Sequence, residues 1–223
     1  MIRRAVVSLL LVAATAFLTA GCGPINPGAV SGFVLDQVTN DGIGDVLVSS
    51  GSEMITTDSD GRYLLTLGAG RHTVSYARVG YVSDTKEYNL TAGSTLMRDV
   101  ELLPQLQVGT ITIKLEWDDS EVNLDGLWTP PGDRHVLPGD NGETPLSRGF
   151  SETIQITDPL SAGTYSYSVS KSSTAHSFSG CGARVTVTAG AFQRTFTSDS
   201  VLLSRTRWNV FEIDGATRGF RLV

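Results

Sequence analysis

Two places in this chain carry residue types at spacings that suit chemistry. The first is Cys22, one of only two cysteines. It follows Ala20 and Gly21, which end an uncharged, mostly apolar stretch that starts at Ala5, after Arg3 and Arg4. A basic head, an apolar middle and a small-residue end make a secretory signal. The apolar run is short against the roughly 20 residues that a membrane-spanning helix needs. The second place is the acidic stretch after Trp117, with Asp118, Asp119, Glu121, Asn123 and Asp125. Carboxylates spaced two apart on a loop can converge on calcium, which prefers oxygen ligands. Asp118, Asp119, Asn123 and Asp125 are therefore candidate metal ligands. The EF-hand frame is missing, so a solvated turn-forming loop is the plainer alternative.

The remaining motifs point away from catalysis. Asp58-Ser59-Asp60-Gly61 looks like part of a calcium loop, but Asp side chains bonding nearby backbone N–H groups explain it without metal. His72, His135 and His176 lie far apart, without zinc spacing. No Gly-x-Ser-x-Gly elbow is present. The sequence therefore reads as noncatalytic. Trp128 borders a proline-rich loop and is a candidate ligand contact, because aromatic rings suit sugar faces as well as packing. Tyr165, Tyr167 and Val169 alternate as core residues do. Phosphate-binding glycine loops and basic nucleic-acid patches are absent.

Leu18-Thr19-Ala20-Gly21-Cys22 resembles the lipobox of bacterial lipoproteins. The resemblance implies cleavage after Gly21, with Cys22 carrying lipid such as palmitate as the first mature residue. More than one acyl chain gives stable anchoring. Gly23, where an aspartate would retain the protein at the inner membrane, implies the outer membrane. Residues 1–21 are then the signal peptide. Residues 22–28 form a short spacer rich in turn formers, which puts the first domain close to the membrane. Removing Arg3 and Arg4 takes the net charge from −6 to −8, which argues against nucleic acid as a partner. With Cys22 lipidated, Cys181 has no partner within the chain and reads as a small buried residue; an intermolecular disulfide is the alternative.

The elements that hold these residues are strands. Short alternating apolar runs separated by Gly, Asp and Asn clusters predict an all-β fold of two tandem β-sandwiches, with residues 29–103 and 104–223 as the domains. Ser31-Gly32-Phe33-Val34-Leu35-Asp36, Gly44-Asp45-Val46-Leu47-Val48, Thr57-Asp58-Ser59-Asp60-Gly61-Arg62-Tyr63, Val79-Gly80-Tyr81 and Asp99-Val100-Glu101-Leu102 resemble the carboxypeptidase regulatory-like domain. That likeness implies a transthyretin-like sandwich, structural or adhesive in role, without catalytic residues. Leu115-Glu116-Trp117-Asp118, Asn123-Leu124-Asp125-Gly126, Pro130-Pro131-Gly132 and Gly163-Thr164-Tyr165 resemble a family of secreted bacterial β-sandwiches. The expectation is a membrane-anchored binding or assembly module of the cell envelope, whose partner is an envelope protein. Carbohydrate binding, calcium-aided and through Trp128, is the rival reading. A noncatalytic peptidase partner is a third, resting on the name of the first domain's family.

Overall fold

A run that alternates apolar and polar residues can bury one face only as a strand. In Arg62–Leu67, Tyr63, Leu65 and Leu67 are buried while Arg62, Leu64 and Thr66 are exposed. Ile111, Ile113 and Leu115 form the same kind of face in Ile111–Glu116. The computed structural model describes residues 26–119, 122–132, 151–157, 159–171, 177–199, 201 and 206–223. The leader 1–21, Cys22, Glu121, His135 and His176 lie outside the described residues. All regular structure among the described residues is β, as the sequence pattern predicts.

The first unit holds β1 (Gly28–Asp36), β2 (Leu47–Ser50), β3 (Glu53–Thr56), β4 (Arg62–Leu67), β5 (Gly70–Ala77), β6 (Asp84–Leu90), β7 (Thr95–Met97) and β8 (Val100–Leu102). One sheet is ordered β4-β1-β7, with β8 also on β1; the other is β3-β2-β5-β6. Between them lies a core that includes Val30, Val34, Val46, Val48, Leu65, Val74 and Leu102. The tyrosine hydroxyls in it form a chain that ends where Tyr63 donates to the Arg98 carbonyl at 2.8 Å. Tyr63 and Tyr76 are 3.0 Å apart, and Tyr76 and Tyr88 3.2 Å.

The two short parallel strands lie along successive parts of β1, β7 beside Ala29–Ser31 and β8 beside Val34–Asp36. At the changeover the Arg98 carbonyl presses on Gly32, where a Cβ would stand 1.9 Å from that oxygen. Only glycine fits there. A consequence of this topology is that the chain enters the first sandwich at one end, where Gly28 opposes Leu67, and leaves at the other, where Leu102 pairs with Asp36.

The second unit holds β9 (Ile111–Glu116), β10 (Leu124–Thr129), β11 (Ser151–Ile156), β12 (Thr164–Lys171), β13 (Arg184–Ala189), β14 (Phe192–Thr197), β15 (Arg207–Asp214) and β16 (Phe220–Leu222). Its sheets are β10-β12-β15-β16 and β11-β9-β13-β14. A second core, from Leu106 to Phe220, fills the space between them. Cys181 belongs to this core, 1 % exposed, with its thiol donating to the Phe178 carbonyl at 3.2 Å.

Candidate functional site

The chain passes from one sandwich to the other through Leu103-Pro104-Gln105, and this segment is pinned on both sides. Pro104 bridges Tyr81 and Gln105 bridges Gly219. The Gln105 N–H donates to the Gly80 carbonyl at 2.8 Å, and the Phe220 N–H donates to the Pro104 carbonyl at 2.8 Å. Gln105 Nε2 donates to the Thr217 carbonyl at 2.6 Å. The turn that receives these bonds is built by Asp214. Its Oδ1 accepts from the Ala216 and Thr217 N–H groups and from the Thr217 hydroxyl. Those bonds, the Thr217 N–H first, hold the Asp214 carboxyl below the usual range.

Asp36 is the centre of the junction. It ends β1 in the inward-facing phase of the strand and is 2 % exposed. A buried carboxylate needs hydrogen bonds or a counter-charge, and Asp36 has both. Oδ1 accepts from the Val38 and Thr39 N–H groups at 2.8 and 3.1 Å. Oδ2 accepts from the Tyr81 hydroxyl at 2.9 Å and from Arg194 Nη2 at 3.3 Å. Arg194 comes from β14 of the second unit, so the carboxylate ties the two sandwiches together. The guanidinium also lies over the Phe192 ring, 5.4 Å from its centroid. Val38, beside this carboxylate in sequence, packs against the second core.

Beside the tie runs an open groove of about 240 Å³, lined by Val79, Gly80, Tyr81, Gln107, Phe192 and Arg194 among others. Ligand pockets for small molecules usually start at roughly 300 Å³, and this groove is somewhat smaller. Burial first, then the bond to Asp36, pushes the Tyr81 hydroxyl up to about 12. At neutral pH Tyr81 therefore donates and does not ionise. Guanidinium, carboxylate and neutral phenol in this arrangement make a structural tie.

Among the described residues, the acidic stretch after Trp117 does not gather around one point. Asp118 forms a two-pronged pair with Arg184, at 2.8 and 3.1 Å. That pairing holds its carboxyl below the usual range. Asn123 Nδ2 donates to Asp125 Oδ1 at 3.4 Å. Asp119 is half-exposed. Among the described residues no three His, Cys, Asp or Glu side chains form a group that could hold a metal. In the Asp58 turn, Asp58 Oδ1 accepts from the Asp60 and Arg62 N–H groups, so the carboxylate is spent on the backbone. Trp128 is 2 % exposed and stacks on Tyr165, with ring centroids 5.3 Å apart. It packs inside the second core and offers no face to a sugar.

Sequence reasoning passed over Asp36, Tyr81 and Arg194, and also Glu152. Glu152 Oε2 accepts the Gly126 N–H at 2.8 Å, linking edge strand β11 to edge strand β10 across the open side of the sandwich. Burial pushes this carboxyl above its ordinary value. The signal for Asp36 and Arg194 was their phase. Asp36 follows Val30, Gly32 and Val34 on the inward face, and Arg194 stands between Phe192 and Phe196.

The molecule is thus a two-sandwich protein joined by a hydrogen-bonded junction. Residues 29–103 match the family model of the carboxypeptidase regulatory-like domain, in agreement with the motifs read there. No curated protein matches the chain. Among solved structures, the TIE protein of Bacillus anthracis is 11% identical, with 77% of this chain and 31% of that one covered and a TM-score of 0.35. The chain thus spans about a third of that protein's length. The major pilin subunit BcpA of Bacillus cereus is 10% identical, with 76% and 67% covered and a TM-score of 0.33. A candidate carbohydrate-binding protein from Bacteroides uniformis is 12% identical, with 78% and 100% covered and a TM-score of 0.31.

Proposed function

We propose that this protein is a lipid-anchored, noncatalytic binding or assembly module of the bacterial cell envelope, held at the outer membrane through Cys22. The observation that carries the reading is the junction. Two sandwiches are joined by a segment bonded on both sides and by a buried carboxylate shared between them. Such a junction presents one domain at a set position relative to the other, which suits a protein that holds a partner in place. The sequence before Cys22 supports the anchor, and the carboxypeptidase regulatory-like match supports an accessory role for the first domain. The partner that fits this reading is another envelope protein. The sugar-binding alternative loses its aromatic contact, since Trp128 is enclosed.

Photo-crosslinkers placed over the surface of the lipidated protein in living cells test the role. The expected result is capture of one envelope protein from one contiguous patch, lost when that patch is given opposite charge. Scattered adducts with many proteins, or binding on a glycan array, overturn it. Labelling with a clickable fatty acid tests the anchor separately: the native protein takes label and Cys22→Ser does not.

A further inference from the structure

We propose that the first sandwich stands upright on the membrane through the uncharged end from which β1 starts, with the second sandwich at the far end of the stalk. The proposal rests on the lipid anchor at Cys22 and adds to it an orientation and a lipid-facing surface.

Three chain segments meet at that end. Pro27 precedes β1, Gly68 and Ala69 join β4 to β5, and Thr91, Ala92 and Ser94 join β6 to β7. Strand pairing brings Gly68 and Ala69 there, with Leu67 opposite Gly28 and Gly70 opposite Leu90, and hydrogen bonds join the other two segments. The Gly93 N–H donates to the Pro27 carbonyl at 3.1 Å, and the Ala29 N–H donates to the Ser94 carbonyl at 2.9 Å. No Asp, Glu, Lys or Arg occurs in residues 26–29, 66–70 or 89–95. The charges nearest in sequence are on the strands behind, where Arg71 and Glu87 neutralise each other at 2.6 Å. Glu53 stands further back, since Ser49 of its hairpin lies opposite Ser75, five residues along β5 from Gly70.

The other end has the opposite character. Asp41, Asp45, Asp58 and Asp60 lie in the turns there and outnumber Arg62 and Arg78, and the exit to the second sandwich starts beside Asp36. A mature chain of net charge −8 is repelled by anionic headgroups within about a Debye length. Standing on the neutral end keeps those acids farthest from the lipid. Tether length agrees. Gly28 lies six positions after Cys22, a stretch that reaches at most about 20 Å when fully extended. The near end therefore cannot leave the surface by more than that. The nine residues of β1 rise roughly 30 Å, so the junction and its groove are held beyond the headgroup layer.

The test uses the full acylated chain in phosphatidylethanolamine–phosphatidylglycerol vesicles that carry a headgroup-attached quencher. A fluorophore is placed through Ala69→Cys, Ala92→Cys or Ser59→Cys in turn; Cys181 is buried and does not compete for label. With protein that floats with the vesicles, the fluorophores at positions 69 and 92 should be quenched severalfold more than the one at position 59. Equal quenching at both ends in floating protein overturns the orientation and leaves the anchor standing. Failure to float overturns the anchor and the orientation with it.

Discussion

Replacing Asp36 by asparagine should loosen a domain to which Asp36 does not belong. The side chain keeps its shape, and the remaining Oδ1 still accepts from the Val38 and Thr39 N–H groups. The charge that faces Arg194 is lost. A hydrogen bond to a charged group contributes about 1.5–3 kcal/mol, but the Arg194 side chain is 35% exposed, against 3% for Asp36. Screening lowers the share that crosses the junction to roughly 1 kcal/mol. All three tryptophans, Trp117, Trp128 and Trp208, lie in the second sandwich, so their fluorescence reports that domain alone. Over a urea slope of about 2 kcal/mol per molar, the fluorescence midpoint should fall by roughly 0.5 M. Arg194→Met should lower it too, and the double variant should cost less than the sum, because the same contact is removed twice. An unmoved tryptophan midpoint in Asp36→Asn, or strict additivity in the cycle, would refute the idea that this carboxylate carries energy between the domains.

Glu152→Gln keeps an acceptor for the Gly126 N–H and removes a charge that burial disfavours. The folded-state value of Glu152 is raised, so its favourable contribution is present below the ordinary carboxylate range and is lost as pH rises through the folded value. The variant should therefore melt higher than the parent near neutral pH, with the difference shrinking toward about pH 4; a lower melting temperature at neutral pH refutes the sign. Tyr63 and Tyr81 are pushed up to about 12, and Tyr76 and Tyr167 also upward, burial being the first cause in each. Stability should hold below the unfolded value of about 10 and fall as pH climbs from there toward 12. Phenolate absorbance should rise together with loss of the β signal, and full ionisation in intact protein would contradict the burial. Gly32→Ala places a methyl 1.9 Å from the Arg98 carbonyl oxygen and should destabilise the first sandwich by roughly 1–3 kcal/mol in a denaturant titration. Cys181 is buried, and burial pushes its thiol up, so a thiol reagent should react with it only after unfolding; fast reaction in the native protein refutes the packing.

The alternation of residues such as Tyr63, Leu65 and Leu67, and of Ile111, Ile113 and Leu115, was enough to read strands. A two-residue period leaves only one way to bury a face. The motifs between residues 29 and 103 were local as well, and they agree with the family match. Site residues were less legible. The acidic stretch looked convergent in sequence, yet Asp118 is paired with Arg184 on β13, far along the chain. Trp128 looked exposed beside its prolines, yet pairing between β10 and β12 turns it onto Tyr165.

By itself the sequence determined the strand period, the turns that break it, and the neutral and acidic composition of the loops. Only the tertiary structure decided which side chains share a site. Asp36 and Arg194 stand 158 positions apart, and each was visible only as a charge in an apolar phase. Nothing in local spacing says that two such charges answer one another. That follows from how two sandwiches stack end to end, and from the cost of burying a carboxylate without a partner.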